Sequence, residues 1–336
     1  MSFFETDVVI IGAGPVGLFA IFECGMLGLR CHVVDALESV GGQCSALYPE
    51  KPIYDIPGFP KVSGADLIHQ LEIQASPFHP QYHFDQEVSS FERKERFFYV
   101  QTSKNITIKA RSIIIAAGGG AFGPNRPPLD HLSEFEGKSV FYLVKSRENF
   151  RNKKITIAGG GDSALDWALS LSEIAEHVNL IHRRDKFRAS PESLNQLQQK
   201  VEQGLISLVV PYQLKALHGK EGMLDFVEVA TLDGDLKMLP TDILLPFFGL
   251  AMHLGPLAHW GLDLESNHLK INPVTMNTNV EGVYAIGDIA TYPGKLKLIL
   301  TGFAEAASAA HAIHHWLNPD KIMHFEYSTT KGIHEL

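Results

Sequence analysis

Two glycine-rich turns carry the strongest chemical signal in the chain. In a strand–turn–helix unit of this kind, the first glycine allows a tight turn and the second lets the backbone approach a pyrophosphate. The third small residue lets helix and strand pack closely, and the helix start offers free N–H groups to phosphates. The residues of the first turn are Gly12, Gly14 and Gly17, and those of the second are Gly159, Gly161, Asp162, Ser163 and Ala164. Two such turns predict two nucleotide sites.

The residue that ends the second strand of each unit predicts which nucleotide is bound. It lies 23 residues after the first glycine in both units, at Asp35 and at His182. A carboxylate at this place accepts a hydrogen bond from a ribose hydroxyl, which suits the AMP half of FAD. Arginines bind a 2′-phosphate by charge-assisted hydrogen bonds, which suits NADPH. The second unit has three of them just after His182: Arg183, Arg184 and Arg188.

The surrounding elements predict the fold. Each turn lies between a β-branched run and an apolar-periodic helix that leads to a second apolar strand; the two units start at Val8 and Ile155. The alternating segment 83–120 predicts a small β-meander that leads into a buried strand, Ser112–Ala116. We predict an α/β protein with two Rossmann-like dinucleotide-binding domains, each with a small β-meander.

A further strand end supplies a candidate FAD contact. The run Gly282–Ala290 predicts an apolar strand that ends at Gly287-Asp288, and a helix of small residues follows from near Thr301. Asp288 at a strand end suits a ribityl hydroxyl. The positive end of the helix suits the pyrimidine edge of a flavin.

Composition excludes several classes of protein. A chain of 336 residues with a net charge of −9 argues against a nucleic-acid partner. The apolar run Val8–Leu29 is interrupted by Pro15, five glycines and Glu23, so we expect no membrane span and no signal peptide. Three cysteines without C-x-x-C spacing indicate a reducing, cytoplasmic setting rather than a disulfide scaffold.

The motifs together resemble those of the two-dinucleotide-binding-domain flavoproteins, specifically the low-molecular-weight thioredoxin reductase group. GAGPVG with Asp35, GGQ, GGGDSA, HRRDKFR and YAIGD occur in the order of that family over nearly the whole chain. The resemblance implies an FAD domain of residues 1–117 and 250–336 and an inserted NADPH domain of residues 118–249. It implies two hinge strands at GGGAFG and FFGLAMH.

The dithiol of the disulfide reductases is missing. Thioredoxin reductases of this type carry C-x-x-C shortly before GGGDSA, where this chain has Tyr142 and Lys145 at the cysteine positions. The C-x-x-x-x-C of glutathione reductases also fails, because Cys44 fits its first cysteine but Pro49 occupies the second place. A dithiol relay needs a second thiol within bonding reach, so we interpret Cys44 as an inert thiol.

The chain therefore resembles most closely the thioredoxin-reductase-like ferredoxin–NADP⁺ reductases, which lack the dithiol and have a C-terminal extension over the flavin. The match is carried by GGQCSALYP and by EYSTTKG, residues 326–332. It implies that Tyr48 stacks on one flavin face and Tyr327 on the other, with Ser328 and Thr329 near N5. The other FAD contacts that it implies are Gln43, Val88 and Phe122.

That resemblance implies an activity and partners. The expected reaction is hydride transfer between NADPH and flavin N5, followed by reversible single-electron transfer to ferredoxin or flavodoxin. No side chain is needed as a general acid or base, because catalysis is mainly placement and tuning of the cofactor. A homodimer is expected. Two alternatives stay open: an NADPH–flavin reductase of quinones or small disulfides, and a flavin redox sensor or electron-transfer scaffold with low turnover.

Charged and histidine clusters give weaker signals. A basic cluster can steer an acidic carrier to the flavin, or it can be an ordinary solvated face. The candidates are Lys145, Arg147, Arg151, Lys153 and Lys154, together with Lys295 and Lys297. His311, His314 and His315 have the helical spacing of metal ligands, but histidines also suit the end of a helix, and we predict no metal site.

Overall fold

The computed structural model describes residues 2–144, 146–320 and 332. The chain divides into two compact units, Met1–Phe122 with Met252–Leu336, and Gly123–Ala251. The α-helices are α1 (Pro15–Met26), α2 (Gln43–Ala46), α3 (Gly64–Ala75), α4 (Leu132–Phe135), α5 (Asp162–Leu171), α6 (Pro191–Glu202) and α7 (Ile299–Leu317). The strands are β1 (Ser2–Glu5), β2 (Val8–Ile11), β3 (Cys31–Val34), β4 (Pro52–Ile53), β5 (Val62–Ser63), β6 (Gln81–His83), β7 (Val88–Lys94), β8 (Phe97–Thr102), β9 (Ile106–Ala110), β10 (Ser112–Ile115), β11 (Ala121–Pro124), β12 (Lys154–Ala158), β13 (His177–Ile181), β14 (Ile206–Val209), β15 (Gln213–Lys220), β16 (Met223–Ala230), β17 (Leu236–Pro240), β18 (Ile243–Pro246), β19 (Leu250–His253), β20 (Leu264–Glu265), β21 (His268–Lys270), β22 (Val283–Ala285) and β23 (Ala290–Thr291).

The first unit is built on a five-stranded sheet in the order β22-β10-β2-β3-β6, with all its pairs parallel. The side chains of strand β2 contact a different core on each face of the sheet. Val8 and Ile10 pack in a core with α1, α3 and α7, whereas Val9 and Ile11 pack in a second core with β8 and β9. Burial on both faces accounts for the uninterrupted VVII sequence. The order places a crevice at the carboxyl end of β2, where chains of this topology bind ligands.

The second unit repeats the arrangement in a parallel sheet ordered β14-β13-β12-β18. Ile155 and Ile157 of β12 pack with α5 and α6, while Ala158 packs with residues of the antiparallel meander β15-β16-β17. The carboxyl end of β12 is therefore the equivalent of the crevice in the first unit. Two Rossmann-like units, each with a meander (β7-β8-β9 in the first), confirm the predicted fold class.

Some boundaries and pairings differ from the prediction. Strand β1 pairs in parallel with β9 and adds a fourth strand to the first meander, which local sequence does not indicate. The strand predicted over Gly282–Ala290 is only Val283–Ala285, because a 3₁₀ turn takes over at Gly287. The two segments expected to be hinge strands contain β11 and β19, which pair with each other. Among the described helices, none has both the length and the apolar character that crossing a membrane requires.

Candidate functional site

The first glycine turn joins β2 to α1, and its three glycines have different surroundings. Gly12 has φ +108°, and a Cβ on it would lie 2.3 Å from the carbonyl oxygen of Ala116. A Cβ on Gly17 would lie 2.0 Å from the carbonyl oxygen of Gly12, so only glycine lets α1 pack this closely on the turn. A Cβ on Gly14 would meet nothing within 4 Å. The bare backbone at Gly14 is therefore open to a ligand.

Asp35, at the end of β3, braces this turn. Its Oδ2 accepts the N–H of Ala13 at 2.6 Å, and its Oδ1 accepts the N–H of Leu37 at 2.8 Å. Burial raises the pKa of the carboxyl, and the two backbone hydrogen bonds oppose that shift. Each oxygen keeps a lone pair, so Asp35 can still accept a hydrogen bond from a ligand.

The GGQ segment folds over the first turn. Gly41 donates its N–H to the carbonyl oxygen of Ala13 at 2.8 Å. A Cβ on Gly42 would lie 3.1 Å from the Cα of Gly14, so the two glycine segments are in close contact. The short helix α2 then begins at Gln43. This contact, which was not predicted from the sequence, narrows the space beside Gly14 from a second side.

Cys44 faces Tyr48 rather than another thiol. Its Sγ donates to the Tyr48 hydroxyl oxygen at 3.7 Å, and Cys44 is 1% exposed. Burial raises the pKa of Cys44 and that of Tyr48, and the charge of nearby Asp288 acts in the same direction on both. Both groups are therefore protonated at neutral pH, and Cys44 has the environment of an unreactive thiol.

These elements enclose a cavity of about 470 Å³. The predicted FAD residues on its wall are Gly12, Gly14, Asp35, Gln43, Tyr48, Val88 and Asp288. Gly17 lies in the packing beneath the turn. Phe122 belongs to β11, but its side chain lies outside the described part of the structure. Tyr327, Ser328 and Thr329 lie outside the described residues. Wall residues that the sequence did not suggest include Leu257, Trp260, Leu298 and Ile299.

The far wall of the cavity combines an acid with a helix start. Asp288 lies in a 3₁₀ turn after β22, and none of the described residues forms a hydrogen bond with its carboxylate. Helix α7 begins at Ile299, two residues before the predicted Thr301, and has no side-chain N-cap. Its first N–H groups are thus available to an electron-rich group in the cavity.

The cavity suits a dinucleotide that carries a ribityl chain. It offers bare backbone and a helix N-terminus for phosphates at Gly14, acceptors for hydroxyl groups at Asp35 and Asp288, and an aromatic surface at Tyr48. This set of binding groups matches the phosphates, hydroxyl groups and ring system that FAD presents along its length. The residues present therefore fit the predicted cofactor.

The second glycine turn, between β12 and α5, has the same construction. A Cβ on Gly159 would lie 2.7 Å from the carbonyl oxygen of Phe247 and 2.9 Å from the Cβ of Ala164. Gly161, which precedes Asp162 at the start of α5, has nothing within 4 Å of such a Cβ. The middle position, Gly160, is covered by the ring of His182, which leaves no room for a Cβ. This covering role of His182 was not predicted from the sequence.

The three arginines lie beside this turn. The N–H of Arg188 donates to the carbonyl oxygen of Gly160 at 2.7 Å, which ties the arginine segment to the glycine turn. Burial lowers the pKa of His182, and the positive charges of Arg183, Arg184 and Arg188 contribute to that shift. All three arginines are exposed, and within the described ranges none forms an ion pair with an acid. They are therefore available to a phosphate.

The structure describes one of the two residues at the expected dithiol positions. Tyr142, at one of the expected cysteine positions, donates its hydroxyl to Glu136 at 2.6 Å, and Glu136 is paired with Arg126. Burial and the Glu136 hydrogen bond raise the pKa of Tyr142 to about 12. Lys145 lies outside the described residues. All three cysteines are free and buried.

The charged clusters have other partners. In the basic cluster, Arg147 pairs with Glu173, Arg151 with Glu148 and Lys154 with Glu176. That arrangement favours an ordinary solvated face over a steering patch. The suggestion that Lys295 is an accessible docking residue is wrong, because its side chain is 6% exposed and bonded to buried Glu305. No group of three or more metal-ligating side chains occurs where the chain is described.

Comparisons with known proteins agree with this geometry. The family model for pyridine nucleotide-disulphide oxidoreductases matches residues 6–312. A protein of Paramagnetospirillum magneticum named ferredoxin–NADP reductase is 59% identical over 334 residues, which cover 99% of each chain. One of Rhodospirillum rubrum with the same name is 58% identical over 333 residues, covering 98% of this chain and 96% of that one.

Solved structures show the same fold. The thioredoxin reductase of T. acidophilum has a TM-score of 0.79 at 23% identity, covering 93% of this chain and 99% of that one. The enzyme of Lactococcus lactis has a TM-score of 0.78 at 23% identity, with coverage of 94% and 99%. At this level of identity the likeness supports the fold class and nothing finer.

Proposed function

This chain belongs to the pyridine nucleotide-disulphide oxidoreductase family, and we propose that it is an FAD-dependent NADPH:ferredoxin oxidoreductase. The observation that carries the proposal is the contrast between its two glycine turns. One is braced by a buried carboxylate beside a large cavity, and the other is flanked by three arginines that form no ion pair within the described residues. Relatives of 58–59% identity named ferredoxin–NADP reductase support it. When bound, FAD supplies the exchange between two-electron transfer with NADPH and one-electron transfer with the carrier.

In the proposed enzyme, residues 1–117 and 250–336 hold FAD. Asp35 accepts a ribose hydroxyl, Gly14 and the start of α1 meet the pyrophosphate, and Asp288 accepts a ribityl hydroxyl. Gln43 and Tyr48 contact the ring system, and the protonated Tyr48 hydroxyl adds no charge there. Further proposed FAD contacts are Gly12, Gly17, Val88, Phe122 and Thr329, with Tyr327 and Ser328 near flavin N5.

Residues 118–249 hold NADPH in the same proposal. The turn from Gly159 to Ala164, including Asp162 and Ser163 at the start of α5, receives the pyrophosphate. Arg183, Arg184 and Arg188 bind the 2′-phosphate. Because the arginines carry no competing ion pair within the described residues, their charge is available to discriminate NADPH from NADH. No protein group has to exchange a proton with an organic substrate.

The buried, separate cysteines favour this activity over disulfide reduction. A disulfide substrate normally needs a thiolate to attack it, and burial holds the pKa of Cys44 above its usual value. The unpaired thiols also support a reducing, cytoplasmic setting. Ferredoxin is the proposed carrier, and flavodoxin is an acceptable substitute. Among the suggested docking cations, exposed Lys297 lies on the cavity wall.

A homodimer forms part of the proposal. An apolar groove on the first unit contains no charged side chain among its described residues and includes Phe59 and Leu300, which are 40% and 42% exposed. Two copies that each carry a charge of −9 repel one another least where both surfaces are uncharged. Sedimentation equilibrium should therefore give a dimer for the wild type and a monomer for Phe59→Asp/Leu300→Asp. A dimeric double variant would exclude this groove as the interface.

The decisive experiment compares electron acceptors. Purified protein is reconstituted with FAD and supplied with NADPH, and cytochrome c reduction is followed with and without ferredoxin, beside an assay with a small disulfide. We expect ferredoxin to raise the rate at least tenfold. Ferredoxin-independent turnover of the disulfide or of a quinone at a comparable rate would contradict the proposal. Slow reduction with no acceptor preference would favour a redox sensor instead.

A further inference from the structure

A buried ion pair lies behind the far wall of the first-unit cavity. Lys295 Nζ contacts Glu305 Oε1, and the two side chains are 6% and 3% exposed. Such a pair is expensive to desolvate and is tolerated only when its remaining hydrogen-bonding positions are satisfied. The other ion pairs found in the described part of the chain each have at least one partner that is more than 20% exposed. Within the described residues, this ion pair therefore differs from the others in being buried at both side chains.

The Glu305 carboxylate fastens three pieces of backbone together. Its Oε2 accepts the N–H of Gly287 at 2.7 Å, and its Oε1 accepts the Tyr292 hydroxyl at 2.7 Å as well as Lys295. Burial and the bond to Glu305 raise the pKa of Tyr292 to about 12, so its hydroxyl remains a donor. The carboxylate thus joins α7 to the 3₁₀ turn and to the loop between them.

Those same pieces of backbone form the cavity wall. Asp288 follows Gly287 directly, and Lys297 comes two residues after Lys295; both line the cavity. Ile299, the first residue of α7, also lines it. Glu305 lies six residues further along the helix, about 9 Å at a rise of about 1.5 Å per residue. A charge at this depth, away from water, is poorly screened by salt.

We propose that Glu305 and Lys295 are positioning residues that hold Asp288 and the start of α7 against the flavin and balance each other's charge there. The inference rests on the proposed function, since it takes FAD to be the occupant of the cavity. Glu305 alone would place an uncompensated anion behind the wall and disfavour the addition of electrons to the flavin. Lys295 alone would do the opposite.

Three variants separate charge balance from simple structural support. Lys295→Met leaves the carboxylate without its cation, Glu305→Gln leaves the cation without its anion, and the double variant is neutral. The side-chain amide introduced by Glu305→Gln retains a carbonyl oxygen for the N–H of Gly287, and its NH2 group can donate to the Tyr292 hydroxyl oxygen, so the 3₁₀ turn and the loop remain fastened to α7. A merely structural role would move all three variants in one direction. Charge balance requires opposite shifts in the two single variants and their cancellation in the double variant.

The readout is the midpoint potential of the bound flavin, measured spectrophotometrically at pH 6, 7.5 and 9 because an unpartnered buried group can exchange a proton. We expect a more negative potential for Lys295→Met, a less negative one for Glu305→Gln, and recovery of the wild-type value in the double variant. The matched control is Lys109→Met, which breaks the surface pair with Glu5 and should leave the potential unchanged. Shifts of the same sign, or none at any pH, would overturn the charge-balance inference.

Positioning is tested by FAD affinity. Glu305→Leu removes the acceptor for Gly287 and should weaken FAD binding roughly tenfold or more, as expected for a lost hydrogen bond to a charged group. Glu305→Gln should bind FAD within about threefold of the wild type. Equal affinity in the Leu and Gln variants would overturn the positioning role. Wild-type protein that binds no FAD would overturn the proposed function as well, whereas the other outcomes concern this inference alone.

Discussion

The Asp35 carboxylate accepts the backbone N–H of Ala13 at 2.6 Å, so the acid at the end of β3 also braces the glycine turn after β2. Its other oxygen holds Leu37 at the start of the next loop. One side chain therefore fixes two loops that line the same cavity. In the proposed FAD site, Asp35 would therefore couple recognition of the ribose to the shape of the pyrophosphate site.

That coupling predicts a large effect from a small change. Asp35→Ala should weaken FAD binding roughly 10- to 100-fold, because two backbone donors are left unsatisfied in addition to the lost ribose contact. Asp35→Asn keeps one acceptor oxygen, so its affinity for FAD should lie between that of the wild type and that of Asp35→Ala. Fluorescence titration of apoprotein with FAD measures the effect. Glu92→Ala, a change in an exposed surface pair, is the control. Affinity of Asp35→Ala within twofold of the wild type would refute the bracing role.

The arginines beside the second turn predict nucleotide selectivity. Arg183→Ala/Arg184→Ala should raise KM for NADPH at least tenfold and leave KM for NADH within about twofold, because only NADPH carries the 2′-phosphate. Steady-state kinetics with both nucleotides gives the ratio. Arg151→Ala removes an arginine that is already paired with Glu148 and should leave both values unchanged. Equal losses for the two nucleotides would mean that these arginines do not bind the 2′-phosphate.

Substitutions of Cys44 and Tyr48 should have different effects, although the two side chains are in contact. Cys44→Ser removes a protonated, buried thiol and should retain NADPH-dependent ferredoxin reduction within about twofold. Tyr48→Ala removes part of the cavity wall and should weaken FAD binding roughly tenfold, while Tyr48→Phe keeps the ring and should not. Stopped-flow reduction and FAD titration measure the two effects. Loss of turnover in Cys44→Ser with FAD still bound would show that the thiol takes part in the chemistry.

Sequence predicted what is local in the chain. The glycine turns, the strands around them and Asp35 follow a spacing that strand–turn–helix geometry imposes, and both sheets have the expected architecture. Lys295 was suggested as a docking residue together with Lys297, and Leu296 and Lys297 are exposed, but the side chain of Lys295 is buried. Its burial depends on Glu305, ten residues later on another element. A lone acid in the small-residue helix GFAEAASAAHA was the only available hint.

A buried histidine pair predicts how stability depends on pH. His32 of β3 and His83 of β6 lie side by side, with Nδ1 of the first 2.9 Å from Nε2 of the second. Phe4 packs against both rings. Burial, followed by the charges of His83 and Arg30, lowers the pKa of His32 to about 4, and burial lowers that of His83. Protonation of both rings would break their hydrogen bond and place two cations in contact.

The sign of the effect follows from these lowered values. In the unfolded chain a histidine takes up its proton near pH 6.5, so between about pH 6.5 and 4 the unfolded state binds more protons than the native state. The stabilisation is therefore complete above about pH 6.5 and is lost as the pH falls towards 4. Urea denaturation of the wild type should give a free energy of unfolding roughly 1–2 kcal/mol lower at pH 5 than at pH 7.5 because of this pair. His32→Leu/His83→Leu should show a smaller difference between the two pH values, and His69→Ala, at an exposed position, should keep the wild-type difference. His83→Gln retains an acceptor for His32 and serves if the double variant does not fold. An unchanged pH difference in both pair variants would place the acid sensitivity elsewhere in the protein.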